Sequence, residues 1–165
     1  MTKVPRWIML IMLAAVAAMQ AGAQGSSAQP RKTVLFVCEH GTVKSLLAKV
    51  LFEQYAAEIG LDVGVVSRGT RPDSMVPAWM QSSLATDHVT LGAWRPQALA
   101  PADLRSASYV VSFDVPTSAT LSARAPRVQW DSLPSVSANY ASGRDAIRAR
   151  VRLLADSLKR ASAAR

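Results

Sequence analysis

The stretch from Thr33 to Ser45 constrains this chain more than any other. Thr33-Val34-Leu35-Phe36-Val37-Cys38 is a continuous apolar, β-branched-rich run, the pattern of a strand buried on both faces of a parallel sheet. Glu39 to Thr42 break the pattern. From Ser45 the apolar spacing becomes helical, with Leu47, Val50, Leu51 and Tyr55 on one face and Gly60 as the C-terminal stop. A loop between a buried strand and a helix points main-chain amides inward, and the helix dipole adds partial positive charge. The segment Cys38-Glu39-His40-Gly41-Thr42-Val43-Lys44-Ser45 is therefore expected to cradle a tetrahedral oxyanion with little side-chain help.

Strands and helices alternate through the rest. A second strand fits Asp62 to Ser67, followed by the turn-like Arg68-Gly69-Thr70-Arg71-Pro72. Helix-compatible material runs from Met75 to about Asp87, a third strand fits Ser108 to Phe113, and a shorter fourth fits Arg127 to Trp130. Ser142 to Ala163 reads as a long helix with Ile147, Val151, Leu154 and Leu158 in one stripe and Arg144, Arg148, Arg152 and Lys159 off it. The expectation is an α/β fold: a single-domain, open, mostly parallel four-stranded sheet flanked by helices, with ligands bound beyond the carboxyl ends of the strands. Cys38 lies at one such end. Trp79, Trp94 and Trp130 are read as packing residues.

The N-terminus reads as a targeting segment. Lys3 and Arg6 precede an apolar run from Trp7 to Met19, and Ala21-Gly22-Ala23 offers a small-x-small cleavage site, so residues 1–23 are expected to be a signal peptide cut after Ala23. The run falls short of the roughly 20 residues a spanning helix needs, so no stable membrane insertion is expected once it is removed. Residues 24–31 are small and polar, a flexible leader, and the domain occupies 32–165. The expected location is periplasmic or secreted. Removing Lys3 and Arg6 lowers the net charge from +8 to +6, and fourteen arginines outnumber five lysines, which favours anionic partners. Nucleic acid is not expected, because the few aromatics do not interleave with the basic residues. Oligomeric state is not legible, and no metal or cofactor is assigned.

The chain has one cysteine. It has no internal disulfide partner, and in an oxidising compartment a lone thiol asks for a reason: Cys38 is either buried and inert or chemically active. The loop's field favours the thiolate, Lys44 adds a full positive charge, and the Ser45 hydroxyl is a donor for the sulfur. An ionised sulfur beneath a bound phosphate is a nucleophile. His40 is read as a solvent-exposed loop histidine.

These residues resemble the low-molecular-weight protein tyrosine phosphatases and the arsenate reductases that share their fold. The resemblance rests on Val34-Leu35-Phe36-Val37-Cys38, the loop ending in a basic residue and Ser45, Ser67-Arg68-Gly69-Thr70 after the second strand, Val110-Val111-Ser112-Phe113-Asp114, Trp130-Asp131-Ser132-Leu133-Pro134, and the long last helix. It implies Cys38 as nucleophile, residues 39–45 as the oxyanion loop, and Asp131 as general acid, with Asp114 in reserve. Three departures stand out. Lys44 replaces the family's loop arginine, and an ammonium offers no planar fork for two phosphoryl oxygens. Gly41 replaces a loop asparagine. Ser132 and Leu133 separate Asp131 from Pro134, whereas the family's acid directly precedes proline. Arg68 and Arg71 are auxiliary candidates for the missing guanidinium, and Ser67 is a further auxiliary candidate. The resemblance thus leaves three functions open: a phosphomonoesterase, an arsenate reductase using an external thiol, and a catalytically weak oxyanion or phosphoprotein binder.

Overall fold

The computed structural model describes residues 32–164; the expected signal peptide and leader lie outside the described residues. The elements are β1 (Thr33–Cys38), α1 (Lys44–Glu58), β2 (Gly64–Gly69), α2 (Ala78–Thr86), α3 (Pro101–Ser106), β3 (Tyr109–Ser112), a 3-10 turn (Thr117–Thr120), β4 (Arg127–Gln129) and α4 (Tyr140–Ala163). The four strands form one sheet in the order β2-β1-β3-β4, and every pairing is parallel. β1 and β3 are therefore central, which is why β1 carries no polar alternation.

The pleat divides β1 between two cores. Val34, Phe36 and Cys38 face a large cluster built with α1, α2 and α4, whereas Leu35 and Val37 join Leu104, Ala107, Val110 and Val115 on the other side. Phe36 sits among Phe52, Phe113 and Trp130, and the Phe113 and Trp130 rings meet edge-on with centroids 5.6 Å apart. Of the three tryptophans read as packing, Trp130 is buried and Trp94 leans on the core, while Trp79 lies at the surface, 38% exposed.

Several boundaries differ from the sequence expectation. β2 starts and ends two residues later than expected, because Thr33 pairs with Gly64 and Cys38 with Gly69; this puts Arg68 inside the strand. α2 is shorter at both ends and begins after Pro77. The six-residue α3 was not expected: it buries only Leu104, so its apolar period is too short to read, although Pro101 opens it and the Asp103 carboxylate accepts from the Ala100 amide. α4 starts two residues early, where the Asn139 side chain caps the Ser142 amide. Its stripe is as expected at Ile147, Val151 and Leu154, with Leu158 half-buried.

Side-chain ties hold α4 to its neighbours. Tyr55 on α1 donates to Asp156, and Arg152 lies over the Tyr55 ring. At the other end, Tyr140 donates to Asp87 (2.7 Å), which also pairs with Arg144 (2.7 Å). Burial, and then the bond to Asp87, pushes the Tyr140 hydroxyl well above the usual tyrosine range, so it stays a donor. A group whose acidity is weakened by folding stabilises the protein below its ordinary value of 10.0, and that contribution is lost as pH rises above it. Tyr140→Phe should therefore cost about 1–2 kcal/mol in urea unfolding at pH 7, and its deficit against the parent should shrink steadily above pH 10.

Candidate functional site

The loop from Glu39 to Val43 is shaped by what its carbonyls bond. The Thr70 amide donates to Cys38 O (3.0 Å), Arg71 to Glu39 O (2.8 Å) and Asp73 to His40 O (3.1 Å). In a planar trans peptide the N–H points opposite to the C=O. Turning three successive carbonyls outward thus aims the amides of Glu39, His40 and Gly41 inward, and the Gly41 amide donates to Cys38 Sγ at 3.2 Å. The two backbones come close enough to exclude side chains. Gly41 has φ +70, and a Cβ on Gly69 would lie 2.9 Å from Gly41 N and from the His40 carbonyl carbon. The glycine at the family's asparagine position thus takes the left-handed turn directly.

A buried hydroxyl chain supports the sulfur. Ser67 donates to Ser45 Oγ (3.0 Å), and Ser45 Oγ is hydrogen-bonded to Cys38 Sγ at 2.9 Å, leaving its hydroxyl free to donate to a thiolate. Ser67 also approaches Gly41 O at 3.4 Å. Val43 precedes α1 without capping it, and no acidic residue stands in the first turn, so the helix's leading amides have no side-chain acceptor. The outer wall is tied down separately. Thr42, fully buried, donates to Asp73 (2.8 Å), whose other oxygen meets His40 Nδ1 at 3.1 Å. Sequence reasoning missed Asp73; its only signal was the turn-like composition around Pro72. His40 is exposed, in accord with the solvent reading.

Above the sulfur lies a cleft of about 240 Å³, with Lys44 and Asp114 on one wall and Ser135, Val136 and Ser137 on the other. Val136 is buried against Gly143 of α4, which seats this second wall. The serines carry no periodic or motif signal, so sequence reading did not find them. An adjoining hollow of about 490 Å³ shares Glu39 and Asp114 and extends past Thr70, Arg71 and Ser118. Lys44 forms an ion pair with Asp114, and Arg71 one with Glu39.

The structure does not bring every candidate to the cleft. Asp131 is not on its walls: its Oδ1 accepts from the Asp114 amide at 2.9 Å. Arg68 stands in register with Val37, on the sheet face opposite Cys38, where Asp103 binds it through two contacts of 3.0 Å. Arg71 reaches the adjoining hollow but not the cleft, and its side chain is 80% exposed. Ser67 acts behind the loop, and Asp114 faces the cleft. Among the described residues no group of three or more His, Cys, Asp or Glu is arranged to hold a metal ion, and no helix is long and apolar enough to cross a membrane.

A family model for low molecular weight phosphotyrosine protein phosphatases matches residues 33–130. The chain belongs to that family. The match runs from β1 through Trp130 and stops before the 135–137 wall. Comparison with curated protein sequences finds no match. Among solved structures, a thioredoxin-dependent arsenate reductase from Corynebacterium glutamicum is 25% identical, with TM-score 0.67 over 94% of this chain and 73% of its own. A YwlE mutant from Bacillus subtilis is 24% identical, with TM-score 0.66 over 78% and 99%. A low molecular weight protein tyrosine phosphatase from Bacillus subtilis is 22% identical, with TM-score 0.65 over 78% and 97%. The family's phosphatases and its arsenate reductases thus share this fold.

If the Gly41–Gly69 contact shapes the loop, Gly69→Ala should dislodge it at a cost of about 1–3 kcal/mol. Inorganic phosphate should then no longer shield Cys38 from iodoacetamide, while circular dichroism shows the fold retained. Undiminished shielding would show that the loop keeps its shape without this contact.

Proposed function

We propose that this family member is a phosphomonoesterase working through a cysteinyl-phosphate. The observation that carries the reading is the setting of Cys38 Sγ: beneath inward-facing loop amides, bonded by Gly41 N and Ser45 Oγ, at the floor of a cleft with a cation on its rim. A phosphoryl group in that loop lies in line with the sulfur. The thiolate's electron pair forms the S–P bond as the P–O bond to the leaving group breaks, and the departing oxygen takes a proton from a carboxyl group. Asp114 is the carboxylate on the cleft wall and takes that role in preference to Asp131. Water then attacks phosphorus, the S–P electrons return to sulfur, and the water's proton passes to the Asp114 carboxylate, which frees phosphate.

Lys44 supplies charge to the phosphoryl oxygens, but as a single point donor rather than a fork, which lowers transition-state stabilisation relative to an arginine. The apolar N-terminal run and its small-residue site support action outside the cytoplasm. A second reading draws on the arsenate reductase among the similar structures. With one cysteine in the chain, such a reaction would need an external thiol to resolve the arsenylated sulfur.

Hydrolysis of p-nitrophenyl phosphate by the full chain tests the proposal. Cys38→Ser should abolish turnover, and Lys44→Arg should raise kcat/KM by roughly tenfold. An inert parent whose cysteine is still shielded by phosphate would instead mark an oxyanion binder. Thiol-dependent arsenate consumption without ester hydrolysis would favour the reductase.

A further inference from the structure

The carboxylate of Asp131 is spent on the main-chain amide of Asp114, the residue that faces the cleft. β3 and β4 run side by side, and each is followed at once by an aromatic residue anchored to the neighbouring strand: the Phe113 amide donates to Val37 O and the Trp130 amide to Ser112 O, both at 2.8 Å. The two rings meet edge-on within the core, so the residue after each ring starts from a fixed point. Those residues are Asp114 and Asp131. Asp114 adopts φ +48, a left-handed conformation costly for a residue with a Cβ, and Ser132, just after Asp131, has φ +60. The left-handed turn swings the Asp114 side chain over the cleft to Lys44. The bond from Asp114 N to Asp131 Oδ1 fixes the peptide plane between Phe113 and Asp114, and with it the Cα from which the Asp114 side chain departs.

The geometry points to Asp131 as a positioning residue that acts through the Asp114 main chain. It holds the peptide plane from which the Asp114 carboxylate reaches Lys44 and the leaving-group side of the cleft. Asp131 itself touches neither substrate nor sulfur. A consequence concerns ligand entry: an arriving oxyanion competes with Asp114 for the Lys44 ammonium, so freeing that peptide plane should ease phosphate binding while impairing proton delivery. The catalytic half of this inference rests on the reading of Asp114 as proton donor; the competition for Lys44 does not.

The experiment uses the full chain and the variants Asp114→Asn, Asp131→Ala and Asp131→Asn. It measures kcat/KM for phenyl phosphate, whose leaving group needs a proton, and for p-nitrophenyl phosphate, whose leaving group needs it less. It also measures the inorganic phosphate concentration that half-protects Cys38 from iodoacetamide. Asp114→Asn should lose roughly 100-fold on phenyl phosphate and far less on the nitrophenyl ester. Asp131→Ala should show the same selective loss, about tenfold or more, and both variants should be half-protected at lower phosphate. Asp131→Asn, whose amide oxygen still accepts the Asp114 N–H, should recover most of the loss.

Equal losses on both esters in Asp131→Ala, tracking a fall in Tm and not rescued by Asp131→Asn, would overturn the inference in favour of a purely structural role. So would an Asp131→Ala enzyme that matches the parent while Asp114→Asn is impaired. If Asp114→Asn shows no leaving-group dependence, or if the parent hydrolyses neither ester, the proton-donor reading fails and the phosphate measurement decides the positioning. A matched shift in Asp114→Asn and Asp131→Ala then upholds it, and an unchanged Asp131→Ala overturns it.

Discussion

The loop over Cys38 owes its form to three main-chain hydrogen bonds from the segment after β2, which take up the carbonyls of Cys38, Glu39 and His40. With those oxygens satisfied on the outside, the matching N–H groups face the sulfur, where among the described residues Cys38 accepts from Gly41 and no other acceptor is seen. Buried amides without partners are costly, so a cradle of this kind is waiting for an acceptor, and a tetrahedral anion supplies several. The uncapped start of α1 adds to the same demand. Everything else in the site serves to keep the two segments in contact: Gly41 against Gly69, Thr42 on Asp73, and Ser67 through Ser45.

Charge at the rim is balanced within the protein. Lys44 is paired with Asp114, and its side chain is 19% exposed against 48% for Asp114. A pair this open to water contributes about 0–1 kcal/mol, so a doubly charged phosphoryl group outcompetes the carboxylate for the ammonium. On the proposed mechanism the exchange serves both partners: the cation moves to the ligand's oxygens, and the released carboxyl group is left beside the leaving group. An arginine in the same place would hold the ligand with two parallel bonds; a lysine relies on charge and on the loop amides.

Much of this was legible in the sequence because the decisive features are local. The unbroken apolar run before Cys38 announces a central parallel strand, and the switch to helical spacing at Ser45 locates the loop between them. The long stripe of α4 is equally plain. What sequence could not show were contacts set by register and by tertiary packing. Arg68 looked like a neighbour of the anion site, but the two-residue shift of β2 sends it to the opposite sheet face and into a bidentate bond with Asp103. Asp131 lies just past β4, yet its carboxylate is turned to an amide rather than to the cleft. Ser135 and Ser137 reach the cleft only because Val136 packs on α4, a fit that no linear pattern records.

The central claim is that these amides form an oxyanion site around an accessible sulfur, and amide-resolved NMR titration of the 15N-labelled chain with inorganic phosphate tests it most directly. The account predicts that the N–H resonances of residues 39–45 move together along one saturable curve, with that of Gly41 among them. Shifts scattered over the arginines of α4 with the loop silent, or no saturable response at all, would contradict it.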